Sequence, residues 1–375
     1  MLKTKGKAVN VGQSIVAKVT RDLHNRADNC VLVCEDYYPE NLMGFKALVT
    51  NLDIPELAYS IPFVHQVQNL THLQEGDVLA IHSSGLINSL YRTSSNQNFI
   101  LVTERCNSNC LMCSQPPKDR EDIFDLHQIH RQLIPLILKD CSGLGITGGE
   151  PTLMGNLFYE MLEQLQIELP DTEIHCLTNG RSFAWKNMAD RLGALNYDKL
   201  MLGIPLYSDY YAEHDYIVQA KDAFNQTIQG LYNLASNNVR IEIRVVLQKQ
   251  SIPRLTKLAK YIYKNLPFAE HITFMGLENQ GYTPFNKEKL WIDPVNYMDE
   301  LGEAVEFLSG KNMNVSIYNS QLCLMPQNLW RYSRKSISDW KNIYLPECTQ
   351  CGLVEACGGL FASAEKMHSD FIKAL

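Results

Sequence analysis

The sequence has no block of Lys and Arg long enough to follow a phosphate backbone, although it contains 34 basic residues. The basic residues are outnumbered by 41 Asp and Glu, which gives a formal net charge of −7. Nucleic acids carry a dense negative charge and are bound mainly through Lys and Arg. The charge balance therefore disfavours nucleic acid as a partner.

The sequence also has no run of residues apolar enough to span a bilayer, and residues 1–11 carry lysines without the apolar stretch of a secretion signal. We therefore expect a cytoplasmic protein with no membrane partner. The cytosol keeps thiols reduced, so the 11 cysteines are not expected to form a disulfide framework. Cysteines that cluster in such a chain indicate metal binding or catalysis.

From about residue 98 the sequence alternates short β-branched runs with amphipathic segments of helical length, which is typical of βα units and a parallel sheet. Six units of this kind predict an α/β fold with a partial (β/α)6 barrel. The predicted strands are Phe99–Glu104, Leu144–Thr147, Glu173–Thr178, Lys199–Pro205, Arg240–Leu247 and His271–Met275. Helices are predicted near 125–139, 155–168, 182–193, 222–236, 251–265 and 295–309.

The remaining sequence differs on either side of this pattern. Residues 1–97 hold short apolar runs broken by turn signals, so we predict a small β-rich N-terminal domain, for which a docking role is one possibility. The predicted barrel covers 98–310. Residues 311–375 are irregular and contain a second group of cysteines, which predicts a separate C-terminal domain.

Three cysteines directly follow the first predicted barrel strand, at positions Cys106, Cys110 and Cys113. Cysteine thiolates are the usual ligands of iron–sulfur clusters, and three of them hold three corners of a [4Fe–4S] cube. The fourth iron then has no protein ligand, which resembles the open position of catalytic metal sites. A zinc site is the alternative, with His127 or His130 as a possible fourth ligand.

The Cys-x3-Cys-x2-Cys spacing after a first barrel strand resembles the radical S-adenosylmethionine (SAM) superfamily. The resemblance implies that the open iron is chelated by the amino and carboxylate groups of S-adenosylmethionine. Reductive cleavage then yields a 5′-deoxyadenosyl radical. The residue before the third cysteine is often aromatic in that superfamily and is Met112 here, whose adaptable side chain is able to pack against a nucleoside.

The turn after the second predicted strand, Gly148-Gly149-Glu150-Pro151, resembles the Gly-Gly-Glu-Pro turn of the same superfamily. Two glycines allow the backbone to approach a ligand closely. The resemblance implies that Glu150 accepts hydrogen bonds from the ammonium group of S-adenosylmethionine, and such charge-assisted bonds are strong.

Three further residues are candidates for cofactor binding. Thr178 and Asn179 end the third predicted strand and resemble the Thr-Asn-Gly of the superfamily, where the polar side chains lie near the nucleoside; an ordinary turn is the alternative. Arg244 alternates onto the inward face of its strand, where its guanidinium fork is able to pair with the cofactor carboxylate. A surface arginine, or one paired near Glu242, is the alternative for this residue.

The second cysteine group offers four thiols for one closed site, namely Cys323, Cys348, Cys351 and Cys357. The Cys-x2-Cys-x5-Cys core resembles the auxiliary-cluster extensions called SPASM and twitch domains. Since no cysteine follows Cys357, the count permits one auxiliary [4Fe–4S] cluster in a twitch-like domain. A zinc knuckle with four cysteine ligands fits the same count.

Three stretches resemble the C-type radical SAM maturase of the His-Xaa-Ser peptide system. They are Thr103–Pro117, Ser336–Trp340 and Cys357–Ser363. The resemblance implies an enzyme that abstracts hydrogen from a ribosomally made precursor peptide. It also implies a second radical SAM maturase as a possible partner, and an electron donor such as flavodoxin or ferredoxin. No residue is assigned as a catalytic acid or base.

Two other functions compete with this interpretation. One is a radical SAM enzyme that acts on a small molecule or RNA, since the superfamily as a whole includes many substrates. The other is a non-catalytic scaffold that binds zinc through both cysteine groups. Such a scaffold would remain colourless and would not bind S-adenosylmethionine.

Overall fold

The computed structural model describes residues 2–55, 58–338 and 341–375. Its contacts divide the chain into two compact units. The first unit comprises Met1–Val102, Asp122–Gly145 and Tyr159–Thr172, and the second comprises Thr103–Glu121, Ile146–Phe158 and Glu173–Leu375. Within the part that the structure describes, no helix is both long and apolar enough to cross a bilayer.

The N-terminal region forms an eight-stranded sheet, which confirms the predicted β-rich character of this part of the chain. Its strands are β1 (Lys3–Lys5), β2 (Lys7–Val9), β3 (Ile15–Thr20), β4 (Cys30–Cys34), β5 (Ala47–Thr50), β6 (Phe63–His65), β7 (Val78–Ile81) and β8 (Leu86–Tyr91). The spatial order is β1-β8-β7-β3-β4-β5-β6-β2. Strand β4 is buried along its whole length because apolar clusters cover both faces of the sheet.

A second eight-stranded sheet begins with β9 (Asn98–Leu101), β10 (Gly143–Thr147), β11 (Glu173–Leu177) and β12 (Leu200–Pro205). It continues with β13 (Arg240–Leu247), β14 (His271–Gly276), β15 (Val315–Tyr318) and β16 (Ser333–Arg334). The strands follow one another in chain order across the sheet, and each pair from β11 to β16 is parallel. The predicted partial α/β barrel is therefore confirmed, and two short strands extend it.

Helices follow the strands. They are α1 (Ile123–Leu133), α2 (Asn156–Glu168), α3 (Lys186–Ala194), α4 (Tyr211–Val218), α5 (Ala223–Ala235), α6 (Leu255–Asn265), α7 (Lys287–Leu290) and α8 (Met298–Gly310). The sequence pattern predicted all of these except the two short helices α4 and α7. In α6 the buried side chains are Leu255, Leu258, Ala259 and Ile262, which is the spacing of one helical face. Residues 341–375 contain only short elements, including a small antiparallel pair formed by β17 (Asn342–Ile343) and β18 (Leu360–Phe361).

The two faces of the barrel sheet differ in composition. On β13 the residues Ile241, Ile243, Val245 and Leu247 are almost fully buried, as expected for the face covered by helices. The alternate residues belong to the opposite face, which is concave in a curled sheet and carries polar side chains. The C-terminal ends of the strands and the loops that follow them lie along one rim of the sheet. Barrels of this kind place their functional groups at that rim.

Candidate functional site

The loop after β9 carries Cys106, Cys110 and Cys113, and neighbouring strand ends hold it in place. The N–H of Gly149 donates to Thr103 O at 2.8 Å, and the N–H of Glu150 donates to Arg105 O at 2.8 Å. A Cβ atom at position 149 would lie 1.9 Å from Arg105 O. Glycine is therefore required there, because the turn after β10 lies directly against the cysteine loop.

Three other segments fix the same loop. The side chain of Asn179 donates to Asn107 Oδ1 at 2.6 Å, and Arg181 donates to Ser108 Oγ at 3.0 Å. At the end of α4, the carbonyl groups of Ile217 and Val218 accept from the backbone N–H groups of Leu111 and Asn109. The loop is thus held by residues from several barrel units, as a rigid site requires.

The segment after β14 supplies the last contacts to the loop. The N–H of Tyr282 donates to Cys113 O at 2.9 Å, and the side chain of Asn286 donates to Leu111 O at 2.8 Å. The side chain of Asn279 donates to Ser363 O at 3.2 Å. Residues 279–286 therefore contact both the first cysteine loop and the C-terminal segment that follows the second cysteine group.

The three thiols of the first group lie in a weakly solvated position. Burial is the main cause that raises the pKa of Cys106 to about 11 and that of Cys110 to about 12. Neighbouring cysteines of the group add smaller contributions to both shifts. Thiolates at such positions need a strong positive partner, and an iron–sulfur cluster provides one. The donor set therefore fits the predicted cluster.

Glu150 is completely buried and connects three predicted cofactor residues to one another. Its Oε1 accepts from the N–H of Thr152 at 3.0 Å and from the hydroxyl groups of Thr152 and Thr178, each at 2.7 Å. Its Oε2 accepts from the N–H of Asn179 at 2.7 Å. The structure thus brings Glu150, Thr178 and Asn179 together.

Met112 is 7% exposed and packs in an apolar cluster with Leu111, Tyr207 and Ile217. Its contact with a nucleoside stays a prediction. Gly148 lies in the turn directly after β10, as the sequence predicted. His127 and His130, the alternative zinc ligands, are buried on α1 in the first unit, whereas the cysteine loop belongs to the second.

Arg244 is paired with Glu242 on the same face of β13. Its Nη1 lies 2.6 Å from Glu242 Oε1, and its Nη2 lies 2.9 Å from Met275 Sδ. Glu242 was not among the predicted site residues. The strict alternation of Ile241-Glu242-Ile243-Arg244 was the signal that places both charged side chains on one face.

The second cysteine group lines one pocket in the C-terminal part of the chain. Its members are Cys323, Cys348, Cys351 and Cys357. Burial is the main cause that raises the pKa values of Cys323 and Cys348, and Cys357 adds to both shifts. Among the residues described, no three His, Cys, Asp or Glu side chains are arranged around a single metal ion.

Comparison with known proteins identifies the domain that holds the first cysteine group. Residues 100–262 match the family model described as the Radical SAM superfamily, which covers less than half of the chain. The match confirms the resemblance predicted from the cysteine spacing. This part of the chain therefore resembles a radical SAM domain.

Individual relatives are distant. An uncharacterized protein of Methanocaldococcus jannaschii is 25% identical over 190 residues, which are 46% of this chain and 64% of that protein. SuiB of Streptococcus suis, solved with S-adenosylmethionine, is similar with a TM-score of 0.47 and 15% identity over 66% of this chain and 55% of SuiB. A radical SAM methyltransferase from Sphaerobacter thermophilus gives a TM-score of 0.44 and 12% identity, over 64% and 72% of the two chains.

Proposed function

We propose that this chain is a radical SAM enzyme that modifies a ribosomally made precursor peptide of the His-Xaa-Ser type. The observation that carries the enzymatic part is the loop with Cys106, Cys110 and Cys113, which several strand ends hold at the rim of a partial barrel. The peptide substrate rests on the resemblance of Thr103–Pro117 and Cys357–Ser363 to the C-type maturase. In the third resembling stretch, Asp339 and Trp340 lie outside the described residues.

In this proposal the three cysteines hold three irons of a [4Fe–4S] cluster and leave the fourth iron open for S-adenosylmethionine. The cofactor supplies a 5′-deoxyadenosyl radical that abstracts hydrogen from the substrate. The side chains of this protein bind and orient the cofactor. Glu150 is the group for the ammonium of the cofactor, Thr178 and Asn179 lie beside it, and Arg244 is the group for the carboxylate.

The four C-terminal cysteines hold one auxiliary [4Fe–4S] cluster in this proposal. They support it because all four line a single cavity. A closed site of four thiolates has no open position for S-adenosylmethionine, so its role is to exchange electrons with the substrate or to bind it. The partners are the precursor peptide, a second radical SAM maturase and a flavodoxin or ferredoxin as electron donor.

Anaerobic reconstitution followed by assay of 5′-deoxyadenosine tests the enzymatic part. Cys106→Ala, Cys110→Ala and Cys113→Ala should each abolish its formation, because two thiolates do not hold a cube with one open iron. Cys141→Ala is the matched control, since this cysteine lies outside both groups and donates to Gly143 O. Comparable activity in the three variants, or a colourless zinc protein, would contradict the proposal.

Incubation with a peptide that carries His-Xaa-Ser repeats tests the substrate class. The peptide mass should change only when S-adenosylmethionine and reductant are both present. A peptide of the same composition with scrambled repeats is the control. Formation of 5′-deoxyadenosine without any change in the repeat peptide would support the radical enzyme but contradict the His-Xaa-Ser substrate.

A further inference from the structure

A cluster of ionisable side chains occupies the concave face of the barrel sheet. Its centre is Glu242 on β13, which is 4% exposed. His175 on β11, Arg244 on β13 and His271 on β14 surround this carboxylate. Barrel interiors are usually filled by branched apolar side chains. An ionic cluster at this position therefore requires an explanation.

The contacts of Glu242 occupy both of its oxygen atoms. Oε1 lies 2.6 Å from Arg244 Nη1 and 3.5 Å from His175 Nε2, and it accepts from the hydroxyl of Thr273 at 3.4 Å. Oε2 lies 3.0 Å from His271 Nδ1. The Nε2 atom of the same imidazole lies 2.9 Å from Ser316 Oγ, so the network extends across three strands.

The neighbouring strand makes room for this network. Gly203 on β12 lies between β11 and β13, and a Cβ atom there would lie 2.9 Å from Arg244 Cδ and 2.9 Å from His175 Nε2. A larger residue would push both side chains away from Glu242. Glycine at position 203 thus leaves space on the face where the side chains of Arg244 and His175 come together.

Burial of these charged side chains costs free energy of folding, which indicates a functional reason for keeping them. A buried ion pair often contributes less to stability than apolar side chains of similar volume, since both charges lose their hydration. Although burial opposes ionisation of Glu242, the neighbouring imidazoles of His175 and His271 and the charge of Arg244 outweigh it and lower its pKa. The carboxylate therefore stays charged, and the guanidinium beside it is held in one orientation.

Strand β13 links Arg244 to the cysteine loop. Val246, two residues after Arg244 on the same face of the strand, packs against the apolar cluster that contains Leu111 and Met112 of that loop. Of the five N–H donors of Arg244, two have partners among the described residues.

We infer that Glu242 is a positioning residue that holds Arg244 as the binding group for a carboxylate, with His175 and His271 keeping Glu242 in place. The inference rests on the proposed function, in which the carboxylate belongs to S-adenosylmethionine. A carboxylate of the substrate has the same chemistry and is the other source. A fork of N–H donors fixed by a neighbouring carboxylate loses less entropy when it binds an anion.

Equilibrium dialysis of the reconstituted protein with S-adenosylmethionine and with 5′-methylthioadenosine tests the inference. The second ligand has the nucleoside but no carboxylate. Arg244→Lys and Glu242→Gln should each weaken S-adenosylmethionine binding about tenfold and change 5′-methylthioadenosine binding less than about twofold. Arg240→Lys, on the same strand but paired with Glu173 and Glu270, is the matched control.

The double variant separates positioning from a purely structural role. If Glu242 acts through Arg244, the two substitutions together should weaken binding no more than Arg244→Lys alone. Additive effects of the two substitutions would overturn the inference. It would also be overturned if Arg244→Lys and Glu242→Gln both left the affinity for S-adenosylmethionine and the affinity for the peptide unchanged. Normal cofactor affinity with weaker binding of an acidic peptide in both variants would assign the carboxylate to the substrate.

Protein folding and the proposed function are monitored separately in the same samples. Iron content and thermal unfolding report whether each variant is intact. If Glu242→Gln does not fold, Ser316→Ala removes only the outer hydrogen bond of His271 and should weaken S-adenosylmethionine binding about twofold to fivefold. An unchanged affinity there would overturn the inference. A wild-type protein that binds no S-adenosylmethionine would instead contradict the proposed function.

Discussion

Substitution of Gly149 by alanine is the change that most directly probes the first cysteine site. The added Cβ would lie 1.9 Å from Arg105 O, 2.4 Å from Arg105 C and 3.1 Å from Cys106 Cβ. Real Cβ atoms almost never approach closer than 3.0 Å, so the turn and the loop must separate by more than about 1 Å. The obstacle is backbone, which has no alternative rotamer.

The cost of this separation follows from the contacts that it breaks. Two backbone hydrogen bonds join the segments, Gly149 N to Thr103 O and Glu150 N to Arg105 O, each at 2.8 Å. Each contributes about 0.5–1.5 kcal/mol net, and overpacking adds about 1–3 kcal/mol. We therefore expect Gly149→Ala to lower the free energy of unfolding by about 2–6 kcal/mol.

Urea unfolding and iron analysis after anaerobic reconstitution measure the two consequences. Gly149→Ala should unfold at a lower urea concentration and hold less iron than the wild type, because the strain falls on the loop with Cys106. Gly302→Ala is the matched control, since its added Cβ lies 3.8 Å from Leu329 and its site is the interior of α8. An unchanged unfolding midpoint with full iron in Gly149→Ala would refute the reasoning.

Three other predictions concern the remaining sites. The double substitution Cys348→Ala/Cys351→Ala should remove about half of the eight irons expected for two clusters. The variant should still form 5′-deoxyadenosine with a strong reductant but should not modify the peptide. Full iron content would contradict this prediction. Glu150→Gln should lower the free energy of unfolding by about 1.5–3 kcal/mol, because hydrogen bonds to a charged acceptor are lost; exposed Glu163→Gln is the control, and equal effects would contradict it. Burial lowers the pKa of His130 from 6.5 to about 3, so below about pH 6.5 this side chain binds a proton in the unfolded state but not in the folded state. The free energy of unfolding therefore falls as the pH drops below about 6.5, by up to about 1.4 kcal/mol per pH unit. Urea unfolding at several pH values should show a shallower decline in His130→Leu than in the wild type or in exposed His24→Gln, and equal slopes would contradict it.

Much of the barrel was predictable because its signal is local. The run Arg240–Leu247 was predicted at both ends because its first half alternates between charged and apolar residues. The strand candidates before it were correct to within three residues at either end. Helix α6 was recognisable from its apolar spacing. The strands β15 and β16 were not predicted, because they are short and their hydrogen bonds come from the neighbouring strand.

The candidate site was predictable where it follows from spacing along the chain, as for the cysteine loop. The partners of Glu150 were only partly predictable, because its complete burial depends on two strand ends that meet through the fold. The link from Tyr282 and Asn286 to the cysteine loop was not predictable. These residues lie far along the chain and have no motif, so only the folded structure brings them to Cys113 O and Leu111 O.

The bonds from residues 282–286 to the cysteine loop also constrain when the site is completed during synthesis. Leu111 and Asn286 are separated by 175 positions in the chain. At a translation rate of about 5–20 residues per second, the nascent loop waits about 9–35 s before its last partners are made. The thiols of Cys106, Cys110 and Cys113 are therefore present in the nascent chain long before all contacts to their loop have formed. Stable cluster assembly is expected only after the complete barrel has left the ribosome.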